Sequence, residues 1–312
     1  MSERARLTGF LVLLGLGWGL TTPLNKITVS LGRAEIALVF WQMLIGAVLL
    51  GIVQLMRRRR LRLTRATLGV WVFIALMGTI LPNSASFRAA AQLPAGIMAI
   101  AIASVPMFAF PMALALGTDR FTWLRALGLG LGLTGVALIA LPQSSLPDPA
   151  MAPWLLVALV APFCYAIEGN AVARWGTGSL DAVDVLFGAS LLGALGTGTL
   201  AAATGAMFVP RPPFVLADAS LLATSAIHAG VYCGYVWLVG RAGATFAGQV
   251  AYLVTGFGVA WSMILLGERY SLWVWTALAA MLAGLSLVKP RDPDPPPNPI
   301  APNAVARHDG AS

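Results

Sequence analysis

Charge is scarce in this sequence: Asp, Glu, Lys and Arg make up 10% of its 312 residues, against 58% hydrophobic. A soluble domain carries about 25% charged residues, so a surface solvated mainly by water is excluded. The mean hydropathy of +0.82 points to lipid instead. Cysteine is nearly absent, and Cys164 and Cys233 fall in apolar runs without a spaced partner. A disulfide framework, a zinc site and a redox pair are therefore not expected. Histidine is as rare: His228 lies in an apolar run and His308 near the end. No Walker lysine, metal-ligand cluster or Ser/His/Asp constellation is present, so the sequence implies no cofactor and no metal. That scarcity also weakens an intramembrane enzyme, which needs clustered His, Asp or Glu near an interface.

The formal charge of +8 raises nucleic acid as a partner. Most of it is arginine in short connections between apolar runs, which reads as control of membrane orientation rather than a phosphate-binding face. Nucleic acid is excluded on this ground, and the partners implied are the lipid bilayer and a small-molecule substrate.

A membrane span needs about 20 apolar residues. Ten runs qualify, at roughly 7–29, 36–56, 68–88, 94–116, 124–141, 153–173, 183–205, 217–239, 245–266 and 272–288. The first has no small-residue cleavage site behind a short apolar core and reads as an uncleaved span. Residues 290–312, rich in proline and polar side chains, read as a disordered cytoplasmic tail. With the N-terminus inside, Arg57, Arg58, Arg59, Arg60, Arg62, Arg65, Arg120, Arg125, Arg174 and Arg241 fall on the inner side, whereas Arg33, Arg88, Arg211 and Arg269 fall outside. The asymmetry puts both termini in the cytoplasm, which an even number of spans permits. The arginine run beginning at Arg57 also suits anionic lipid, although topology explains it more simply.

A repeat is visible. Leu116-Gly117-Thr118-Asp119-Arg120-Phe121-Thr122 precedes a span containing Gly135, and Leu266-Gly267-Glu268-Arg269-Tyr270-Ser271 precedes a span containing Gly284. Each joins the last two spans of a half, one on the inner side and one on the outer. Five spans per half is odd, so the halves are expected to be inverted, an arrangement found in secondary transporters. The expected units are 1–145 and 146–289.

At these turns, and at Trp18-Gly19, the sequence resembles the drug/metabolite transporter superfamily in its ten-helix EamA-type branch. The second turn, Gly267-Glu268-Arg269, fits the family's Gly-Glu-Arg pattern, while the first departs from it through Thr118 and Asp119. The resemblance implies an all-α membrane protein of ten transmembrane helices, in two inverted five-helix repeats around a central cavity. It also implies alternating access without ATP, and within the branch a likeness to bacterial inner-membrane exporters of amino acids, including aromatic ones, and other metabolites.

Polar residues at membrane depth are the natural lining of a transport path. Asn25 in span one is one, while its neighbour Lys26 reads as snorkelling to the headgroups, with a substrate carboxylate as the alternative. Pro82, Asn83, Ser84 and Ser86 interrupt span three, and Ser104, Pro106 and Pro111 punctuate span four. Span six carries Tyr165, Glu168 and Asn170. At ~1.5 Å per residue, Glu168 belongs to the inner third, too deep to pair with Lys26. There it would carry a proton or meet an amino group, or else pair with Arg174. His228, Tyr232 and Tyr235 share a face of span eight. Span nine holds Gln249, Tyr252, Thr255, Gly256, Gly258 and Ser262. The expected cavity residues are Asn25, Asn83, Ser84, Ser104, Tyr165, Glu168, Asn170, His228, Tyr232, Gln249 and Tyr252, with Pro106, Pro111, Gly256 and Gly258 as hinges. The small pairs Gly15/Gly19, Gly128/Gly132 and Ala280/Gly284 are expected to bring helices close. Aromatics with few buried charges suit a neutral or zwitterionic solute; a lipophilic cation is the main rival, and a passive channel the other.

Overall fold

The computed structural model describes residues 3–58, 63–118, 120–140, 146–178, 180–242 and 250–287, apart from a few side chains within the helices. Asp119, Gln249 and the tail 290–312 lie outside the described residues. What is described is helical throughout, with no strand. The elements are α1 (Glu3–Thr28), α2 (Glu35–Arg57), α3 (Arg65–Ile74), a π-helical turn (Ala75–Ile80), α4 (Leu81–Gln92), α5 (Ala95–Ile102), α6 (Val105–Ala115), α7 (Trp123–Ala140), α8 (Ala152–Ala158), α9 (Val160–Trp175), α10 (Ala182–Ala203), α11 (Leu216–Ala242), α12 (Val250–Leu266) and α13 (Leu272–Leu287).

Among the described residues, six helical runs are long and apolar enough to cross a membrane: Ala5–Leu31, Glu35–Arg57, Arg65–Gln92, Ala95–Ala115, Pro149–Trp175 and Ala182–Ala203. Ala126–Ile139, Leu253–Leu266 and Leu272–Gly284 are apolar but shorter. α11 is long but carries Asp218, Ser220, Thr224, Ser225, His228, Tyr232 and Tyr235 along its length. Helices suit this chain because lipid offers backbone groups no hydrogen bonds, so each segment must satisfy its own.

Proline explains the interruptions. Pro82 has no N–H for the carbonyl four residues back, that of Gly78, and the helix widens into the π turn just before it. Span four divides at Ala103 and Ser104, with Pro106 second in α6 and Pro111 inside it. In span nine, expected to hinge at Gly256 and Gly258, α12 runs unbroken through both. Gly258 is instead a contact point, where an added Cβ would lie 2.6 Å from the Ala99 Cβ and 3.6 Å from the Gly19 carbonyl.

Other glycines set the packing too. Gly15 and Gly19 face α12, while a Cβ on Gly284 would come within 2.5 Å of the Gly128 carbonyl and 3.2 Å of the Gly132 nitrogen. Small residues let helix backbones approach closely, which is the main source of attraction once lipid and side chain are equally apolar. The principal pairings are α7 with α13, α1 with α12 and α11, α2 with α10 and α11, α5 with α12, α6 and α4 with α9, and α3 with α10.

Charges close the ends. On the side expected to face out, Arg33 bonds Asp218 and lies 4.2 Å over the Phe208 ring, Trp41 Nε1 donates to the Phe208 carbonyl at 2.9 Å, and Arg88 pairs with Glu35. On the other side Arg57 pairs with Asp181 at 2.8 Å, and the buried Gln54 donates to Asp184 at 2.6 Å. Asp181 and Asp184 form a capping box at the start of α10.

Candidate functional site

The site grows from the π turn. Opposite it, Glu168 on α9 is 8% exposed, and its carboxylate lies against Gly78: a Cβ there would be 2.9 Å from both carboxylate oxygens. Only glycine leaves that space. Among the described residues, the one hydrogen bond that reaches the carboxylate is long, 3.4 Å from the Tyr232 hydroxyl. Hydroxyl donors ordinarily approach to about 2.5–3.0 Å. No cationic side chain pairs with Glu168 among the described residues, and Arg174 is exposed one and a half turns on. An ionised carboxylate withdrawn from water costs several kcal/mol unless something neutralises it. Glu168 therefore stands ready for a proton, a cation or an ammonium group.

Tyr165, one turn before Glu168 on α9, begins a second line of polar groups. Its hydroxyl donates to Asn83 Oδ1 at 3.4 Å, and Asn83 Nδ2 donates to Gln42 Oε1 on α2 at 2.8 Å. Gln42 borders a cavity of about 30 Å³, shared with Thr79 of the π turn, Ser190 of α10, and Ser225, His228 and Tyr232 of α11. A volume of that size takes one or two water molecules. Ligand pockets for metabolites run to about 300 Å³ and more, so a whole substrate requires a wider conformation than this one. An aromatic wall completes the site: the Trp18 ring lies 6.1 Å from His228, 6.1 Å from Tyr232 and 5.8 Å from Tyr235, all edge-on. Such edge-to-face contacts hold the ring orientations.

The structure thus brings together Asn83, Tyr165, Glu168, His228 and Tyr232 of the sequence-predicted set. Ser84 follows Asn83 on α4 and is half-buried. The others are engaged elsewhere. Asn25 accepts from the Thr224 hydroxyl at 3.0 Å and joins α1 to α11. Ser104 is 1% exposed and donates to the Ala101 carbonyl at 2.6 Å, closing the break between α5 and α6. Asn170 donates to the carbonyls of Ala109 at 3.1 Å and Ala166 at 2.9 Å, tying α9 to α6. Gln249 and the Tyr252 side chain lie outside the described residues. Sequence reasoning missed Gln42, Gly78, Thr79 and Ser190. Gln42 had a signal, an amide about 10 Å inside an apolar span; Gly78 had none, because its role is to be small beside a residue ninety positions away.

Lys26 belongs to a different construction. Its ammonium donates to the carbonyls of Leu93 at 2.9 Å and Ala91 at 3.3 Å, where α4 ends. Across the break, Glu268 accepts from the Ala95 nitrogen at 2.7 Å and the Gly96 nitrogen at 3.1 Å, where α5 begins. Cations suit helix C-termini and carboxylates suit N-termini. Tyr270 bonds Glu268 and also receives the Gly96 N–H at 3.1 Å; burial first, then that bond to Glu268, hold its phenol above the ordinary range. The Gly-Glu-Arg turn between α12 and α13 is therefore the cap of a helix from the other half of the chain.

Residues 8–141, which contribute Trp18, Gln42, Gly78 and Asn83, match the EamA-like transporter family. The likeness is to a transporter family and covers less than half of the chain. It is similar in fold to a solved structure described as "Crystal structure of protein": TM-score 0.61, over 91% of this chain and 96% of that one, at 16% identity. No curated protein matches the sequence.

Proposed function

We propose that the chain is a secondary transporter that exports small polar metabolites, amino acids foremost, by alternating access across a bacterial inner membrane. In this reading ten spans form two inverted five-helix halves, with both termini cytoplasmic. The observation that carries it is Glu168: a carboxylate deep in an apolar bundle, nearly enclosed, with one long hydrogen bond and no cationic partner among the described residues. Intramembrane acids of this kind mark the path of a proton or of a substrate ammonium. The small cavity supports the second element, since a substrate-sized space has to open from one side at a time.

The helix pairings favour the two-half arrangement. Exchanging each span for the one five places on turns the α1·α12 contact into α9·α6, α1·α11 into α9·α4, and α2·α11 into α10·α3. The contacts α2·α10, α5·α12 and α7·α13 map onto themselves. A two-fold relation between halves has this property.

The test is counterflow in liposomes with the purified chain and a panel of labelled amino acids. Saturable exchange of at least one is expected; none, from folded protein, would remove amino acids as the substrate class. A lipophilic cation is the second reading, favoured by the same carboxylate beside the Trp18, Tyr232 and Tyr235 rings. It predicts that organic cations are themselves carried rather than merely blocking amino-acid flux.

A further inference from the structure

A line of polar groups leads to the cavity: the Tyr165 hydroxyl lies 3.4 Å from the Asn83 oxygen, and the Asn83 nitrogen donates to the Gln42 oxygen at 2.8 Å. Gln42 is 7% exposed and borders the cavity, and its nitrogen has no hydrogen-bond partner among the described residues. Ser190 stands across from it with an uncommitted hydroxyl, kept clear by Gly46, where an added Cβ would lie 3.3 Å from the Ser190 Oγ. His228 has no hydrogen-bond partner among the described residues either, so one ring nitrogen is free to donate. Ser225 differs, since it spends its proton on the Leu221 carbonyl at 2.6 Å. None of the residues lining the cavity is acidic. Among the described residues, the carboxylate near it is that of Glu168, reached through the hydroxyl of Tyr232, which borders the cavity.

We propose that Gln42, Ser190 and His228 form a carboxylate-binding subsite, which receives one end of a zwitterion whose ammonium meets Glu168 beyond Tyr232. Preorganised neutral donors stabilise an anionic oxygen without adding a buried charge. The cavity volume matches a group the size of one or two waters, as a carboxylate is. The assignment of the two ends rests on the amino-acid reading above, whereas the donor subsite makes a claim of its own about any carboxylate.

Three probes separate the two: phenylalanine, phenylacetate and phenethylamine share a ring but carry both charged groups, only the carboxylate, or only the amine. Their affinities for the purified full chain are measured by titration calorimetry for wild type, Gln42→Leu and Ser190→Ala. The second variant disturbs no hydrogen bond found in the structure, so it guards against misfolding in the first. Phenylalanine and phenylacetate should weaken about tenfold in both variants, the scale of one hydrogen bond to a charged group, with phenethylamine unchanged. Wild type that binds phenylacetate in this way but not phenylalanine upholds the subsite and removes the amino-acid reading. Equal weakening of all three probes, no change in any, or no phenylacetate binding by wild type overturns the subsite.

Discussion

Gly78 and Glu168, ninety residues apart, meet so closely that a methyl group on Gly78 would stand 2.9 Å from each carboxylate oxygen. The contact is made by the π turn, and it fixes where the charge of Glu168 can sit. Gly78→Ala should displace the carboxylate, lowering exchange by about tenfold or more, since misplacement by an ångström suffices for such losses. A melting temperature close to wild type would accompany that loss. Wild-type flux in Gly78→Ala would show that the position of the carboxylate does not matter.

Glu268 caps α5 from the opposite half of the chain. Glu268→Ala should cost about 1 kcal/mol, as the loss of a helix cap does, and lower the melting temperature by about 2–4 °C. Glu268→Gln, which can still accept from Ala95, should lose less. Melting curves on detergent-solubilised protein decide it: a cap predicts that order, and equal stability in all three forms contradicts it.

Arg33, Asp218 and Phe208 tie the connection before α11 to the start of α2, with the two charged side chains 19% and 8% exposed. Arg33→Ala strands the aspartate and removes the ring contact, at about 1.5–3 kcal/mol. Asp218→Asn should cost less than Arg33→Ala, because the arginine keeps its place over Phe208. Chemical unfolding of both variants gives the comparison.

Gly258 and Gly284 are packing points. Leucine at either position should force α12 from α1, or α13 from α7, and reduce yield and stability sharply. Gly256→Ala should be tolerated, because an added Cβ there meets nothing within 4 Å. Retained transport in Gly256→Ala together with loss in Gly258→Leu is the expected pattern. Loss in Gly256→Ala would restore the hinge.

How much of this was legible depends on which physical rule each feature obeys. Hydropathy acts residue by residue, so the helical regions could be read directly, as could the break before Ala95 that Pro94 marks. Gly256 and Gly258 look alike in the sequence, but Gly258 is pressed between Ala99 and Gly19 whereas nothing meets a Cβ added at Gly256. Polar residues within spans were visible, but their partners were not. Asn170 and Ser104 look like cavity residues in one dimension and serve backbone carbonyls in three. Glu168 stood out as an acid in a span; the glycine that makes room for it and the amide chain that ends at Gln42 depend on contacts between distant helices. The Gly-Glu-Arg turn was read as a repeat marker, and its capping of α5 could not be inferred from spacing.

The central claim is that Glu168 receives the proton or ammonium that transport carries through the bundle. Counterflow of a transported labelled amino acid, measured across a range of pH in liposomes with wild type and Glu168→Gln, tests it most directly. The account predicts saturable, pH-dependent exchange in wild type, and at least tenfold slower exchange with a flattened pH profile in Glu168→Gln. Equal flux with the same pH dependence in the two proteins would contradict it.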